Sequence, residues 1–509
     1  MLGSAGAEYL FGTAAEEICD PHATREGTRI NMAPLKHRSI VLMASIWAIL
    51  LCAWPPHGQS QTVYDIVIAN GHVIDPASGV DGVRNVGISG GTIRAITTAP
   101  LTGHRILDAE GLVVAPGFID TDTYVEQAAL QVLDGVTTVL SLLVGTTDVE
   151  GWYRDHQGRL PIHYGVSIDY SQVREELRAR SVSQPVEEAP WEEDLAPILL
   201  ELERGLQSGA VAVSLGLGAT MDVSGTEVHQ VFKVAARHGA HVVAALPDRF
   251  WTDDRGIADL LTVVGAAAVT GVSVQIPHIG STGGPRVTEM LDIIAEARTR
   301  GVQISAEDYP YAAALGSLGP GVADDWPDEE LHDVQPLGFG QRLSRETYDQ
   351  FRDRTVMVYW HNRDLEPYLP AVLSHPWTSI ASHANPPSIT RHGWGHPRTV
   401  GTYGRLIGTY VREQQLLTLS EAIRKSSLMP AERLQDRVPA MARKGRLKEG
   451  ADADIIVFDA TRFRERATFD SLIPSEGMRY VIVGGQLVVE EGEVLNVWAG
   501  QPVRAPVQR

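Results

Sequence analysis

Three side chains that can bind a metal or move a proton follow β-rich runs in this 509-residue sequence. Asp122 ends the stretch GLVVAPGFIDTD, His278 ends VSVQIPH, and His383 lies within TSIASHAN. One carboxylate and two imidazoles can coordinate a divalent cation, and an imidazole can also transfer protons near neutral pH. Either chemistry requires the three strand ends to meet at one edge of a sheet.

The elements around these residues predict such an edge. Eight apolar runs typical of buried strands alternate with helical patterns such as WEEDLAPILLELERGL, which is the rhythm of a parallel, helix-covered sheet. Eight strands with crossovers predict a (β/α)8 TIM-type barrel over residues 115–444, with a long insertion over 312–376. In that α/β fold, chemistry lies at the carboxyl ends of the strands, and the predicted end residues are Asp122, Tyr170, Pro247, His278, Asp308 and His383.

The two ends of the chain have a different sequence pattern. Residues 62–114 contain short β-rich runs separated by Asn-Gly, Gly-Gly and Glu-Gly turns, and similar hairpins return in ADIIVFD and RYVIVGGQLVVEEGEVL. We therefore predict a small composite β-sandwich formed by residues 62–114 and 445–500, beside the barrel.

Charge limits the class of partner. The formal net charge is −20, from 43 basic and 63 acidic side chains. Nucleic acids and anionic membranes are bound by concentrated positive charge, so we expect neither as a partner. A small molecule, such as an N-acyl amino acid or a similar anion, is the expected ligand. The sequence does not indicate the oligomeric state.

The N-terminal segment resembles a secretory signal. Basic residues precede the apolar run SIVLMASIWAILLCAW, and prolines and small residues follow it. The predicted signal peptide is 32–60, which makes residues 1–31 an over-extended start and the mature chain an exported protein without a stable membrane span. An uncleaved anchor is the alternative, although a span needs about 20 apolar residues. Cleavage would also remove Cys19 and Cys52.

Longer stretches of the chain resemble a known family. APGFID after the β-rich start and the late KGRLKEGADADIIVFD are similar to the amidohydrolase superfamily. DYPYAA, GHPRTVGTYGRLIGTYVRE and LSEAIRKSSLMPAERL resemble its D-aminoacylase branch, and YDIVIANGHVIDPASG is similar to the N-acyl-D-glutamate deacylases. The resemblance, over about residues 64–493, implies zinc-dependent hydrolysis of an N-acyl amide, in which the metal activates water and polarises the carbonyl.

The metal ligands that this resemblance implies are mostly replaced here. The family has a His-x-His pair on the first strand, a bridging Cys or Glu on the second, histidines on the fifth and sixth, and an Asp on the last. In this chain Asp122 and Tyr124 replace the first-strand pair, and Ser141 or Leu143 replaces the second-strand ligand. Ala244 and Ala245 stand at the fifth strand, His278 at the sixth and His383 at the last. Only His278 matches, which predicts that the binuclear site has been lost.

Two functions follow from this replacement. In the first, the protein is non-hydrolytic, needs no cofactor and keeps a pocket for an acylated acidic amino acid or a similar anion. Asp122 and His278 are then residual polar groups, and His383 fills the vacated metal volume. In the second, Asp122, His278 and His383 form a rebuilt mononuclear zinc site that hydrolyses C–N bonds, with His383 and Asp122 as catalytic candidates.

Four further residues are candidate substrate contacts. The resemblance places Asp308, Tyr309 and Tyr311 beside the substrate, whereas packing of tyrosines at a strand end is the alternative. Arg398, in the sequence HPR, can pair bidentately with a ligand carboxylate. Arg398 would therefore give the predicted pocket an anion-binding group.

Overall fold

A computed structural model describes residues 62–181, 191–217, 223–247, 255–361 and 363–508. The predicted signal peptide and the predicted over-extended start lie outside the described residues. Two larger sheets and one smaller sheet organise the described chain.

The first of these sheets is the predicted barrel. Its eight strands are parallel and lie in the spatial order β16-β12-β11-β10-β9-β8-β7-β6. The strands are β6 (Phe118–Asp120), β7 (Val136–Thr146), β8 (His163–Asp169), β9 (Ala212–Gly216), β10 (His241–Ala245), β11 (Val274–Ile276), β12 (Ile304–Asp308) and β16 (Thr378–Ile380). The (β/α)8 prediction is confirmed. Apolar runs such as VTTVLSLL form these strands because a parallel sheet is covered by helices on its outer face and packed inside.

Helices cover the barrel and connect its strands. The described α-helices are α1 (Ala128–Gln131), α2 (Val149–His156), α3 (Tyr170–Ser181), α4 (Trp191–Gln207), α5 (Gly225–Arg237), α6 (Arg255–Thr270), α7 (Ile279–Gly283), α8 (Val287–Thr299), α9 (Asp328–Leu331), α10 (Arg345–Tyr348), α11 (Leu369–Ser374), α12 (Pro387–Thr390), α13 (Arg398–Arg405), α14 (Leu419–Ile423) and α15 (Met429–Leu434). A capping box between Ser224 and Glu227 fixes the start of α5. None of the helices in the described ranges is long and apolar enough to cross a bilayer.

The second sheet combines both ends of the described chain, as predicted. It has nine strands, and β5 and β17 pair antiparallel across its middle. The strands are β1 (Val63–Asp75), β2 (Val80–Ser89), β3 (Thr92–Thr97), β4 (Thr102–Asp108), β5 (Val113–Pro116), β17 (Ile455–Phe458), β18 (Met478–Val483), β19 (Gln486–Glu490) and β20 (Glu493–Val494). Its own hydrophobic core includes Ile68, Val86 and Ile482.

The long segment after β12 forms the third sheet. Strands β13 (Ala313–Leu318), β14 (Val334–Pro336) and β15 (Val356–His361) pair antiparallel in the order β13-β15-β14. A small separate core that includes Leu318, Tyr348 and Val358 supports it. The predicted insertion 312–376 therefore contains a packed sheet together with the short helices α9, α10 and α11.

A buried ionic cluster joins the composite sheet to the barrel. The Asp454 carboxylate lies 2.9 Å from His163 Nε2 and 2.7 Å from Lys444 Nζ, and it accepts the Gly484 N–H at 2.8 Å. The side chains of Asp454, His163 and Lys444 are 3%, 5% and 4% exposed. Burial alone would raise the pKa of Asp454, but His163 and Lys444 hold it well below its usual range.

Candidate active site

The barrel brings Asp122, His278 and His383 together at the carboxyl ends of its strands. Asp122 follows β6, His278 follows β11 and His383 follows β16. Asp122 Oδ2 lies 2.8 Å from His383 Nδ1 and 3.8 Å from His278 Nδ1. One potential ligand atom from each residue lies within 4.8 Å of the others. We call these residues the triad.

Both histidines of the triad have a strained backbone. His278 has φ of 35° and His383 has φ of 48°, and three other non-glycine residues of the described chain share the left-handed region. This conformation costs a non-glycine residue roughly 1–3 kcal/mol, and such residues cluster at functional sites. The backbone therefore turns both imidazoles toward Asp122 at a cost that the surrounding fold must offset.

Aromatic and cationic groups extend the triad into a stacked column. The rings of His278 and His383 stack with their centroids 4.5 Å apart, and Tyr309 stacks on His383 at 5.8 Å. The Arg398 guanidinium carbon lies 4.4 Å from the centroid of the Tyr309 ring. Arg398 is 2% exposed, and its Nε and Nη1 atoms have no hydrogen-bond partner among the described residues. A buried cation of this kind favours an anionic ligand.

A second set of polar groups lies beneath the triad. Asp120 accepts hydrogen bonds from Gln131 Nε2 at 2.7 Å and from the Ser382 N–H at 3.0 Å. Because Ser382 precedes His383, this contact links the ends of β6 and β16, between which no strand pairing is found in the described chain. Thr121 donates to buried Glu307. These contacts hold Asp122 and His383 on opposite sides of one seam of the barrel.

Burial controls the protonation of the site. Burial raises the pKa of Asp122 to about 6, opposed by the charges of His278 and Arg398. Burial, and then Arg398, lowers the pKa of His383 well below its usual value. At pH 7 Asp122 is therefore mostly ionised and His383 neutral, which are the forms that coordinate metals. Burial raises the pKa of Glu307 to about 8, so this carboxyl is mostly protonated at pH 7.

The predicted substrate contacts Tyr309, Asp308 and Tyr311 have different surroundings. Tyr309 is part of the stacked column, and buried Asp308 has its pKa raised to about 8 by burial. Tyr311 lies farther out, where its hydroxyl donates to Glu465 at 2.6 Å, and Glu465 also pairs with Arg405 at 2.6 Å. The Tyr311 hydroxyl is thus already bonded to protein, whereas Tyr309 stacks on His383 and Arg398 lies over Tyr309.

Two of the predicted strand-end residues supply no group to the triad. The Tyr170 hydroxyl donates to Glu227 at 2.6 Å, in a buried cluster with Arg174. Pro247, after β10, offers no donor atom. Conversely, sequence reasoning missed Glu307, although an acidic residue inside the apolar run VQISAED is the signal that would have indicated it.

Known proteins share this arrangement of strands. A family model described as "Amidohydrolase family" matches residues 218–489. The chain belongs to the amidohydrolase family. This amidohydrolase is 28% identical to the N-acyl-D-glutamate deacylase of Alcaligenes xylosoxydans xylosoxydans, over 84% of the chain and 93% of that relative. It is 26% identical to the D-aminoacylase of the same organism, over 86% of the chain and 97% of the relative.

A solved structure agrees in fold. The N-acyl-D-glutamate deacylase from Bordetella bronchiseptica, complexed with zinc and a phosphonate inhibitor, has a TM-score of 0.73 and 23% identity. It matches 87% of this amidohydrolase and 100% of its own chain. The similarity to the D-aminoacylase branch is therefore established for both sequence and fold.

The triad of this amidohydrolase offers enough ligand atoms for one cation. At the fifth strand, Ala244 and Ala245 offer no side-chain donor, and Leu143 offers none at the second. Ser141 has a buried hydroxyl without a hydrogen-bond partner in the described chain. The triad, in contrast, supplies two nitrogens and one oxygen, the number of protein ligands in a catalytic zinc site. The expectation that the protein lacks a cofactor finds no support in its relatives or in this geometry.

Proposed function

We propose that this amidohydrolase cleaves the amide bond of N-acyl amino acids with one divalent cation held by Asp122, His278 and His383. The convergence of three ligand atoms within 4.8 Å at the carboxyl ends of the barrel strands carries the proposal. The strained backbone of both histidines supports it, because a merely residual pair of side chains gives no reason to maintain that strain.

The chain's own groups have separate tasks in this reaction. When bound, the cation supplies Lewis acidity that polarises a carbonyl and activates a water. Asp122 and the two histidines hold it, and the contact between Asp120 and Ser382 fixes the strand ends that carry two of these ligands. Protonated Glu307 beneath Asp122 adds no second negative charge that would compete for the cation.

Arg398 is the proposed anchor for the substrate carboxylate. Its guanidinium lies over Tyr309, which stacks on His383, so a substrate paired with Arg398 can place its acyl group beside the triad. Because the burial of Asp308 keeps its carboxyl mostly protonated at pH 7, that residue does not repel an anion. The 28% identical relative is an N-acyl-D-glutamate deacylase, and we propose an N-acylated acidic D-amino acid as the substrate class.

Metal content and turnover test the proposed function together. Purified protein loaded with zinc and then passed through a desalting column is expected to retain about one zinc per chain. The loaded protein is expected to release acetate from N-acetyl-D-glutamate, and chelation should stop the release. Metal-free, folded protein that neither retains zinc nor cleaves this amide would overturn the proposal.

Replacement of Arg398 tests the carboxylate anchor. Hydrogen bonds to charged groups contribute about 1.5–3 kcal/mol, so Arg398→Gln is expected to raise KM for N-acetyl-D-glutamate roughly 10- to 100-fold. Arg391→Gln, at an exposed position of the same segment, is the matched control and should leave KM unchanged. An N-acetyl amine without the α-carboxylate should be cleaved equally by the variant and the parent protein. An equal defect on both substrates would contradict the anchor role.

A non-hydrolytic binding protein is the second candidate function. The observation that favours it is the direct 2.8 Å contact between Asp122 and His383, which lets the carboxylate and the imidazole satisfy each other without a cation. In that case zinc is not retained, yet N-acetyl-D-glutamate binds through Arg398. Calorimetry on the metal-free protein distinguishes the two candidates, because binding without turnover supports only the second.

A further inference from the structure

A cleft of about 510 Å3 lies at the pole of the barrel opposite the triad. Its walls come from the amino ends of four neighbouring strands, β10, β11, β12 and β16. Residues from α15 and the π-helical turn Arg424–Leu428 close one side. Volumes of this size accommodate small organic molecules. The proposed amide chemistry does not use this cleft.

The cleft is rich in guanidinium groups that lack carboxylate partners. Arg298 and Arg433 line it, and within the described chain neither has a carboxylate oxygen within 4 Å. The Arg298 guanidinium carbon lies 3.8 Å from the centroid of the Trp377 ring. Arg433 Nη1 donates to Ser379 Oγ at 3.3 Å, which leaves its Nε and Nη2 without a partner in the described residues. Arg298 Nη1 donates to the Ile304 carbonyl, while Arg298 Nε has no partner in the described residues. Each of the two guanidinium groups therefore keeps at least one N–H available to a ligand.

Buried polar atoms around the same walls also lack partners. His241 is 9% exposed, and neither its Nδ1 atom nor the Ser305 hydroxyl has a hydrogen-bond partner among the described residues. Burial, together with Arg433 and Arg437, lowers the pKa of His241 to about 4, so its ring is neutral at pH 7. Buried polar groups normally have a hydrogen-bond partner. Several groups at this one cleft are therefore available to pair with a bound ligand.

Acidic groups near the cleft do not cancel this charge. Glu432 and Asp436 line its rim at exposed positions, where water screens them. Arg424, also on the rim, is already paired with Glu421 at 2.9 Å. Glu307 faces Arg433 from inside the barrel, and burial raises the pKa of this carboxyl to about 8. The inner end of the cleft is therefore electropositive at neutral pH.

We propose that this cleft is a binding site for a small oxyanion, either phosphate or the carboxylate of an organic acid, held by Arg433 and Arg298 with Ser305 beside them. Guanidinium groups present planar pairs of N–H donors that match the oxygens of both anions. The Trp377 ring and the apolar wall residues provide surface for a carbon skeleton attached to the oxyanion. A site at this pole can be occupied while the triad binds its own substrate.

Calorimetric titration of the purified protein with inorganic phosphate tests the proposal. Parallel titrations use acetate and chloride, all at constant ionic strength and without amide substrate. Phosphate or acetate is expected to bind saturably with one site per chain, and chloride is not. Arg433→Gln is expected to weaken that affinity about tenfold or more, because one charge-assisted pair is lost. Arg300→Gln removes an exposed arginine near Arg298 and should bind like the parent.

The variants and the two anions distinguish the possible results of this titration. If Arg433→Gln does not fold, the Ser305→Ala variant tests the site instead. This substitution removes only a hydroxyl and should weaken anion binding several-fold. Stronger binding of acetate than phosphate identifies organic acids as the ligands, and the reverse identifies phosphate. Absence of saturable binding of either anion at millimolar concentration, or unchanged affinity in folded Arg433→Gln and Ser305→Ala, would overturn the proposed site.

Discussion

The His278→Ala variant is expected to lose the bound cation and, with it, amide hydrolysis. The imidazole is one of only three ligands in the triad, and a catalytic zinc site requires about three from protein. The two remaining ligands leave a site that exchanges its cation readily. We expect zinc content to fall from about one per chain to near none, and turnover to fall at least about 1,000-fold, as for removal of an essential electrostatic group.

Two further variants make this result interpretable. His104→Ala, at an exposed position of the composite sheet, should retain both zinc and activity. His278→Asn keeps a polar side chain that tolerates the left-handed backbone, so it should fold like the parent while still losing zinc. The absorption spectrum of cobalt-loaded protein gives a readout independent of turnover. Retention of tetrahedral cobalt bands in folded His278→Asn would contradict the assignment of His278 as a ligand.

Asp454→Asn is expected to lower the free energy of unfolding more than any other single substitution outside the triad. Asp454 is the buried carboxylate that pairs with both His163 and Lys444, so the amide leaves His163 without this partner and buried Lys444 paired only with the more exposed Asp452. Removal of one partner from a buried ion pair costs about 3–5 kcal/mol. Urea unfolding should show this loss as a lower midpoint with an unchanged slope. Asp452→Asn, at a more exposed partner of Lys444, should cost far less.

The same cluster predicts how stability depends on pH. The pKa of Asp454 is held below its ordinary value in the folded state, so its contribution is fully present above the unfolded pKa of about 3.9. The contribution is lost as the pH falls below that value toward the lower folded pKa. The difference in unfolding free energy between the parent and Asp454→Asn should therefore shrink on acidification from about pH 5 downward. A constant difference over that range would exclude the ionised carboxylate as the stabilising group.

The barrel could be predicted from sequence because its signals are local. Helical periodicity in WEEDLAPILLELERGL indicates α4, and the apolar run VTTVLSLLVG indicates β7. The direction of the strands fixes which residues lie at their carboxyl ends, so the amino-acid sequence alone predicts that Asp122, His278 and His383 meet.

Contacts between distant residues escaped the sequence reasoning. Glu307 and Arg433 are far apart along the chain, and no local pattern indicates that these two side chains face each other inside the barrel. The left-handed backbone of His278 and His383 was equally hidden, because such conformations are imposed by the packing around them rather than by a residue preference. The sequence thus indicated which groups face the site but not how they are held.

The seam between β6 and β16 has a consequence for motion. Side-chain contacts through Asp120 and Ser382, rather than a ladder of strand hydrogen bonds, join these edges in the described chain. Asp122 belongs to one edge and His383 to the other, so an ion bound by both would bridge two barrel edges that no strand pairing joins in the described chain. Hydrogen–deuterium exchange in the amides of these two edges should then slow when zinc is added, while exchange in the composite sheet stays the same.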